Sequence, residues 1–329
     1  MNASSASADS LRAALAGLLD GLPPSQAAKS VERLIAHYRG TTPTDAPVLR
    51  DRADVAAYAA YRMPATFEAA RGALEALRGA APGWVPAGHV DVGGGTGAAS
   101  WAVAEAWGEA PPRSTVLDWA EPALALGREL AAGVLDAEWR RERIGTALRL
   151  PETDLVTVSY VLKELTEADR AALVAEAARA ARGAVVVVEP GTPDGYERII
   201  AARTLLVEAG LTVAAPCPHS GACPIAPGTD WCHFAARVSR SSLHRRVKGG
   251  SLPYEDEKYA YVAAVRVPAV PAPARVTRRP QIRKGQVLLE LCGPDGLGRE
   301  TVTKRHGPLY KRARDAEWGD AWPPEPAAE

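Results

Sequence analysis

Three of the chain's four cysteines, Cys217, Cys223 and Cys232, stand close together in a segment rich in proline and glycine. The fourth, Cys292, lies far downstream. In 329 residues, so few thiols so crowded point to one shared task. Four thiolates complete the ligand set of a structural zinc ion, and equally that of an iron–sulfur cluster. Free cysteine also serves as a small core hydrophobe, but Pro, His, Gly and Trp flank these thiols rather than an apolar strand. Disulfides are disfavoured. Residues 1–9 have neither the basic start nor the apolar run of a signal peptide, so a reducing, cytoplasmic setting is expected. Structural zinc sites usually use short Cys-x2-Cys pairs. The gaps here are five, eight and fifty-nine residues. Gaps so wide and uneven favour a bulky cluster reached from several directions, with zinc as the alternative.

A second stretch with chemical potential begins at His89. The short apolar run His89-Val90-Asp91-Val92 leads into Gly93-Gly94-Gly95-Thr96-Gly97, and a helix is expected from Ala98 to Trp107. Strand, glycine loop and helix open a doubly wound nucleotide-binding fold, where the backbone turns tightly and a ligand approaches the helix N-terminus. Gly93, Gly95 and Ala98 satisfy a dinucleotide pattern. Asp91 extends the loop to D-x-G-x-G-x-G, which resembles the first motif of class I S-adenosylmethionine-dependent methyltransferases. The next strand, Thr115 to Leu117, ends on Asp118, whose carboxylate can accept both ribose hydroxyls of such a cofactor. Asp118 can also serve the start of the helix that Pro122 opens.

These residues need a scaffold, and the alternation of elements supplies one. Strands are expected at Asp154–Tyr160 and Ala184–Glu189, with helices at Glu167–Ala181 and from Pro193 to Ala209. That order argues for an α/β fold with a parallel sheet covered on both faces. Ligands bind beyond the C-terminal strand ends of such sheets, which groups Asp91, Asp118, Tyr160 and Glu189 around one crevice. Residues 1–80 form an alanine-rich helical region, with breaks at Pro23-Pro24 and Thr41 to Pro47 and separate helices over 52–62 and 65–77, Pro64 opening the last of these. Residues 81–267 form the α/β domain, with a cysteine-rich insertion at 214–258 between its last two strands. Residues 268–329 form a basic extension, whose hairpin (Gln286–Leu291 with Arg299–Lys304) supplies Cys292 and whose tail from Trp318 is irregular.

The net charge of zero hides an asymmetry. Residues 203–315 carry 19 Lys and Arg against 9 Asp and Glu, so the rest of the chain sums to −10. An arginine-rich half suits a polyanionic partner. Its candidate contacts are Arg245, Arg246, Lys248, Arg278, Arg279, Lys304, Arg305, Lys311 and Arg312. No run approaches the roughly 18 apolar residues that span a bilayer, so no membrane partner is expected.

Taken together, the motifs resemble those of the methyltransferase-like assembly factors of the small ribosomal subunit, best known from mitochondria (the Rsm-twenty-two-like family). The resemblance rests on Tyr61-Arg62-Met63-Pro64-Ala65-Thr66, Asp91 to Gly97, Val188 to Pro193, Cys217-Pro218-His219, Cys223-Pro224 and Asp230-Trp231-Cys232-His233-Phe234. It continues through Asp256 to Tyr259, Arg278-Arg279-Pro280, Leu291-Cys292 and Trp318-Gly319-Asp320, and so runs from about residue 50 to the end of the chain. It implies a class I methyltransferase fold, S-adenosylmethionine at Asp91, Gly93, Gly95, Gly97, Asp118 and Tyr160, and a [4Fe–4S] cluster on Cys217, Cys223, Cys232 and Cys292. It also implies association with small-subunit ribosomal RNA during assembly, by a protein that is a monomer outside that complex. A bacterial-type, cytoplasmic member is expected, since no arginine precedes Arg12. Catalysis is left open. Ser159 to Glu164 is not the Asn/Asp-Pro-Pro-Tyr sequence of base-amine methylation; no catalytic base stands out, and Lys163 and Glu164 read equally well as surface residues.

Overall fold

The computed structural model describes residues 3–18, 52–241 and 252–323, with positions 25, 28–29, 31–33 and 245. The breaks expected at 23–24 and 41–47, and the basic residues Arg246 and Lys248, lie outside the described residues.

Eight strands form the central sheet, seven of them along its main path: β1 (Gly88–Val92), β2 (Arg113–Asp118), β3 (Ala137–Arg141), β4 (Thr153–Ser159), β5 (Ala181–Pro190), β6 (Thr212–Ala215) and β8 (Tyr254–Val265). Their order is β3-β2-β1-β4-β5-β8-β6, and β8 runs antiparallel to both of its neighbours. This is the Rossmann-like mixed sheet of class I methyltransferases. The valines of β5 are buried on both faces, as a central strand requires. Helices α3 (Ala98–Ala106) and α4 (Glu121–Ala131) cover one face, and α5 (Glu167–Ala180) and α6 (Pro193–Glu208) cover the other. The Thr166 and Thr192 hydroxyls accept from Asp169 N and Gly195 N and so cap α5 and α6.

The N-terminal region departs from expectation. Besides α1 (Ala3–Gly17), it has one continuous helix, α2 (Arg52–Ala80), where two were expected to meet at Pro64. An interior proline removes a helix bond and costs about 3 kcal/mol. Burial offsets that here: Val55, Ala59, Met63, Phe67, Ala70, Leu74 and Leu77 form one stripe, each at most 3% exposed, in the core shared with α3 and the sheet.

The insertion is likewise more regular than its composition suggests. Within it, β7 (Phe234–Ser239) pairs with residues 254–259 of β8, collinear with β6, which pairs with 263–265. The cysteine loop is thus an excursion from an interrupted edge strand. It leaves the sheet near the C-terminal end of β5, where Pro190 pairs with Tyr259.

The expected C-terminal hairpin is part of a five-stranded antiparallel sheet. β11 (Gln286–Gly293) and β12 (Gly296–Thr303) are joined by β9 (Ala274–Val276), β10 (Gln281–Arg283) and β13 (Ala321–Trp322). Helix α7 (Pro308–Asp315) packs on it through Ala313, and Trp322, from the tail expected to be irregular, completes a separate core with Val276, Val287, Leu289 and Val302.

Candidate functional site

The crevice opens at the C-terminal ends of β1, β2 and β4, with α2 as its far wall. Its glycine loop is shaped by close approach. A Cβ on Gly94 would sit 2.7 Å from Asp91 Oδ2 and 2.6 Å from Val116 Cγ1. Gly97 has φ +83°, and a Cβ there would meet the Trp139 ring at 2.6 Å. No side chain of Gly97 can cap α3, so Asp91 does it from the neighbouring strand: its Oδ2 accepts from Ser100 N (3.2 Å) and Ser100 Oγ (3.0 Å). Its Oδ1 accepts from Thr157 Oγ1 at 2.8 Å. Burial pushes the Asp91 carboxyl up to about 6, against the pull of those bonds. Asp91 thereby sets the loop from beneath.

Asp118 stands at the end of β2 and faces the loop. Its Oδ2 accepts from Gly95 N (2.9 Å) and its Oδ1 from Ala120 N (2.8 Å), so it joins the glycine loop to the start of α4. Burial raises its carboxyl while these N–H groups lower it. Tyr160 follows β4 with φ +59°, a left-handed conformation that costs a non-glycine residue about 1–3 kcal/mol. Its hydroxyl donates to Glu257 Oε1 (3.0 Å), and the Arg62 guanidinium lies 4.8 Å from its ring centre. Arg62 in turn donates twice to Glu257, at 2.6 and 3.0 Å. This triad ties the crevice to α2 and to the β7–β8 arm. Sequence reading missed it, although Tyr58, Arg62 and Thr66 form a polar i, i+4, i+8 stripe on a largely apolar helix, and all three line the crevice.

One acidic residue falls differently from expectation, and a second finds its place. Glu189 does not line the crevice: fully buried, it accepts from Arg198 Nε (2.6 Å) and Leu162 N (3.1 Å). A buried carboxylate needs such partners, and the arginine of α6 supplies them. Glu164, for which the sequence left a surface and a site reading open, is exposed and lines the crevice. It reaches solvent through the opening, yet the protein walls crowd it. That burial pushes its carboxyl up to about 7, with Asp118 and Glu189 adding to the rise.

The second site is a cavity beside β8 lined by Cys217, Cys223, Cys232 and Cys292 together. The expected convergence of a distant thiol on the cysteine loop is therefore present. All four are free thiols. Burial pushes the Cys217, Cys232 and Cys292 thiols up, Cys292 to about 11, while Arg203 opposes the rise at Cys217. Tyr196 Oη lies 3.1 Å from Cys223 Sγ. Arg203 donates to the carbonyls of His219 (2.8 Å) and Gly221 (2.7 Å), and Arg275 Nε donates to that of Pro216 (2.9 Å). Among the described residues, no group of three or more His, Cys, Asp or Glu has the geometry to hold a metal ion. The cavity gathers three sulfurs from the cysteine loop and a fourth from β11, with Arg203 and Arg275 beside them.

The basic residues divide into two groups. Arg245, Arg279, Lys304, Arg305 and Lys311 are exposed. Arg278, expected at a nucleic-acid surface, is half-buried instead: it pairs with Asp230, donates to Trp231 O (3.4 Å) and lies 6.0 Å from the Trp318 ring centre. It pins the cysteine loop to the C-terminal sheet. Arg312 is also half-buried, next to Ala313 in the C-terminal core.

Comparison with known proteins places this architecture. The human mitochondrial ribosome assembly protein METTL17 is 28% identical over 292 residues, 81% of this chain and 62% of that protein. The mitochondrial Rsm22-cox11 tandem protein 2 of Schizosaccharomyces pombe is 27% identical over 186 residues, 44% of this chain and 25% of that protein. The chain thus spans less than two thirds of either relative. Magnesium protoporphyrin IX methyltransferase from Synechocystis PCC 6803, solved with bound S-adenosylmethionine, aligns over 73% of this chain and 90% of its own, with 14% identity and a TM-score of 0.40. The family described as mitochondrial small ribosomal subunit Rsm22 matches residues 52–323, a span that takes in both the glycine-loop crevice and the four-thiol cavity, and the chain belongs to that family.

Proposed function

We propose that this protein is an RNA-binding assembly factor of the small ribosomal subunit that holds S-adenosylmethionine in the crevice and a [4Fe–4S] cluster on Cys217, Cys223, Cys232 and Cys292. The observation that carries this reading is the shared cavity. It lies where the methyltransferase-like body meets the basic C-terminal sheet, and takes its cysteines from both. Bound there, the cluster supplies a covalent cross-link between the two. An absorbance spectrum with iron, sulfide and zinc analysis of anaerobically purified protein tests this. About four irons per chain support it, and stoichiometric zinc or no metal overturns it.

Binding of the cofactor is supported by the loop geometry. Asp118 presents its carboxylate beside Gly95, where two ribose hydroxyls can donate to it. Hydrogen bonds to a charged group contribute about 1.5–3 kcal/mol each. Asp118→Ala is therefore expected to weaken S-adenosylhomocysteine binding by at least about tenfold in titration calorimetry. Unchanged affinity would remove the ribose role.

RNA binding rests on the five exposed basic residues. If each meets a phosphate, affinity falls about 100-fold or more between 50 and 200 mM salt, because each contact releases condensed counterions. A flat salt dependence would exclude this surface. An active RNA methyltransferase is the second reading, and Glu164 favours it: a carboxyl held near 7 inside the crevice can take a proton from a nucleophile at neutral pH. Transfer of labelled methyl groups to immature small subunits, lost in Glu164→Gln, separates the two readings.

A further inference from the structure

Two arginines line the four-thiol cavity, Arg203 on α6 and Arg275 on β9. They are only 4% and 7% exposed, and among the described residues neither forms an ion pair with Asp or Glu. Arg198, also buried, shows the ordinary arrangement: it pairs with Glu189 and Asp194. The hydrogen bonds of the cavity arginines go to neutral groups instead. Arg203 holds the carbonyls of His219 and Gly221, which lie between Cys217 and Cys223 in the chain. Its Nε is buried with no hydrogen-bond partner. Arg275 holds the carbonyls of Pro216 and Gly319, and pairs with Cys292 across β9 and β11.

Carbonyls satisfy N–H groups but leave the net charge standing, and a buried charge without an opposing one is strongly unfavourable. Arginine does not shed its proton in a protein. The balance therefore has to come from the cavity. Four neutral thiols supply none. Four thiolates outweigh the positive charge of an iron–sulfur core, and one-electron reduction of that core adds a further negative charge. Beside such a centre both guanidiniums have an opposing charge, and Arg203 has an N–H left to give.

We infer that Arg203 and Arg275 are the counter-charges of the four-thiolate centre, keeping its negative charge inside the protein and raising the reduction potential of the bound cluster. They act as positioning residues, not as ligands. The inference rests on the cluster reading above.

The test uses the full chain, purified anaerobically. Arg203→Gln and Arg275→Gln remove a charge and keep a donor for a carbonyl, whereas Arg203→Lys keeps the charge. Redox titration followed by electron paramagnetic resonance reads the potential. Each Gln variant is expected to lower the reduced-to-oxidised ratio at a fixed potential by about tenfold, a negative shift of about 59 mV for one electron. Each should also lose iron to a chelator faster than wild type, while Arg203→Lys stays near wild type in both measurements. A Gln variant with the wild-type potential overturns the inference for that arginine, whatever its iron loss, because a brace for loop carbonyls alters retention and leaves the potential in place. Arg203→Lys falling as far as Arg203→Gln overturns it too. Should Arg203→Gln fail to fold, Arg275→Gln decides from a separate element. Wild type that holds zinc sinks the cluster reading alone: four thiolates outweigh zinc's charge as well, so faster metal loss in the Gln variants but not in Arg203→Lys still upholds the counter-charge role, and equal loss in all overturns it. Wild type with no metal overturns both.

Discussion

Cys292→Ser is expected to abolish iron binding and to release the C-terminal sheet from the body of the protein. Cys292 is the one thiol this sheet contributes to the cavity. It lies near the end of β11, where it pairs with Leu297 of β12 and Arg275 of β9. Serine offers a hard oxygen where soft thiolate is required, so the substituted site keeps three sulfurs and an open position. The mechanical effect follows from chain length. Fifty-nine residues separate Cys232 from Cys292. A cross-link closing a loop of about 60 residues removes roughly 4 kcal/mol of unfolded-chain entropy on the loop-closure relation. What remains is non-covalent: Arg275 on the Pro216 carbonyl, Arg278 on Asp230, and Trp318 against His233 at 4.5 Å between ring centres. Iron per chain should drop to near zero, and trypsin should cut at Arg275 or Arg278 in minutes under conditions that leave wild type intact. Unchanged iron content with an unchanged digestion pattern would falsify the cross-link.

That tie also shows why sequence reading recovered some parts of this molecule and not others. The glycine loop and the strands around it were legible because each announces itself locally. An apolar run ends in glycines at Gly93, a strand ends on Asp118, and consecutive valines mark β5. The thiol set was legible from rarity and spacing. What completes each site was not, because those partners meet only through the fold. Tyr196 and Arg203 reach the thiols from α6, and Glu257 reaches Tyr160 from β8, 97 positions away.

Elements were missed for a related reason. β3 reads Ala-Glu-Trp-Arg-Arg, an edge strand whose polar surface gives no apolar alternation. β7 does alternate, with Phe234 and Val238 buried, but Arg237 and Arg240 give the stretch the composition of a solvated basic run. β9, β10 and β13 have two or three residues each, too few for any period to show. Pro64 misled in the other direction. Its local penalty is real, but helix continuity was decided by the tertiary packing of α2.

The Tyr160–Glu257–Arg62 triad gives the two sites a common wall. Glu257 belongs to the part of β8 that pairs with β7, and β7 begins one residue after His233, itself adjacent to Cys232. One strand pair therefore carries Cys232 just before β7 and a crevice partner on β8. The strained backbone of Tyr160 is held by this strand pair rather than by its own turn.

Acid should weaken the folded protein through His89, beneath the glycine loop. His89 is 1% exposed; its Nδ1 lies 2.9 Å from Ser114 Oγ and its Nε2 2.8 Å from Thr157 Oγ1. Thr157 gives its proton to Asp91, so its oxygen accepts from Nε2–H and Ser114 donates to Nδ1. The neutral ring satisfies the network, and burial lowers its pKa from 6.5 to about 3. Between those values the unfolded chain binds a proton that the folded chain refuses, so stability falls as pH drops through this window. From pH 8 to pH 5 this group alone removes about 2 kcal/mol. Asp91 works in the opposite sense. Its folded pKa of about 6 lies above the ordinary value of 3.8, which returns about 1.4 kcal/mol over the same interval. Wild type therefore shows only a shallow net slope from the pair, and comparison with His89→Gln isolates the histidine because Asp91 is common to both. Denaturant titrations at the two pH values should find the advantage of wild type over His89→Gln smaller by about 2 kcal/mol at pH 5. A constant gap would mean that the folded protein protonates His89 as readily as the unfolded chain does, and that the polar network under the loop is open to water.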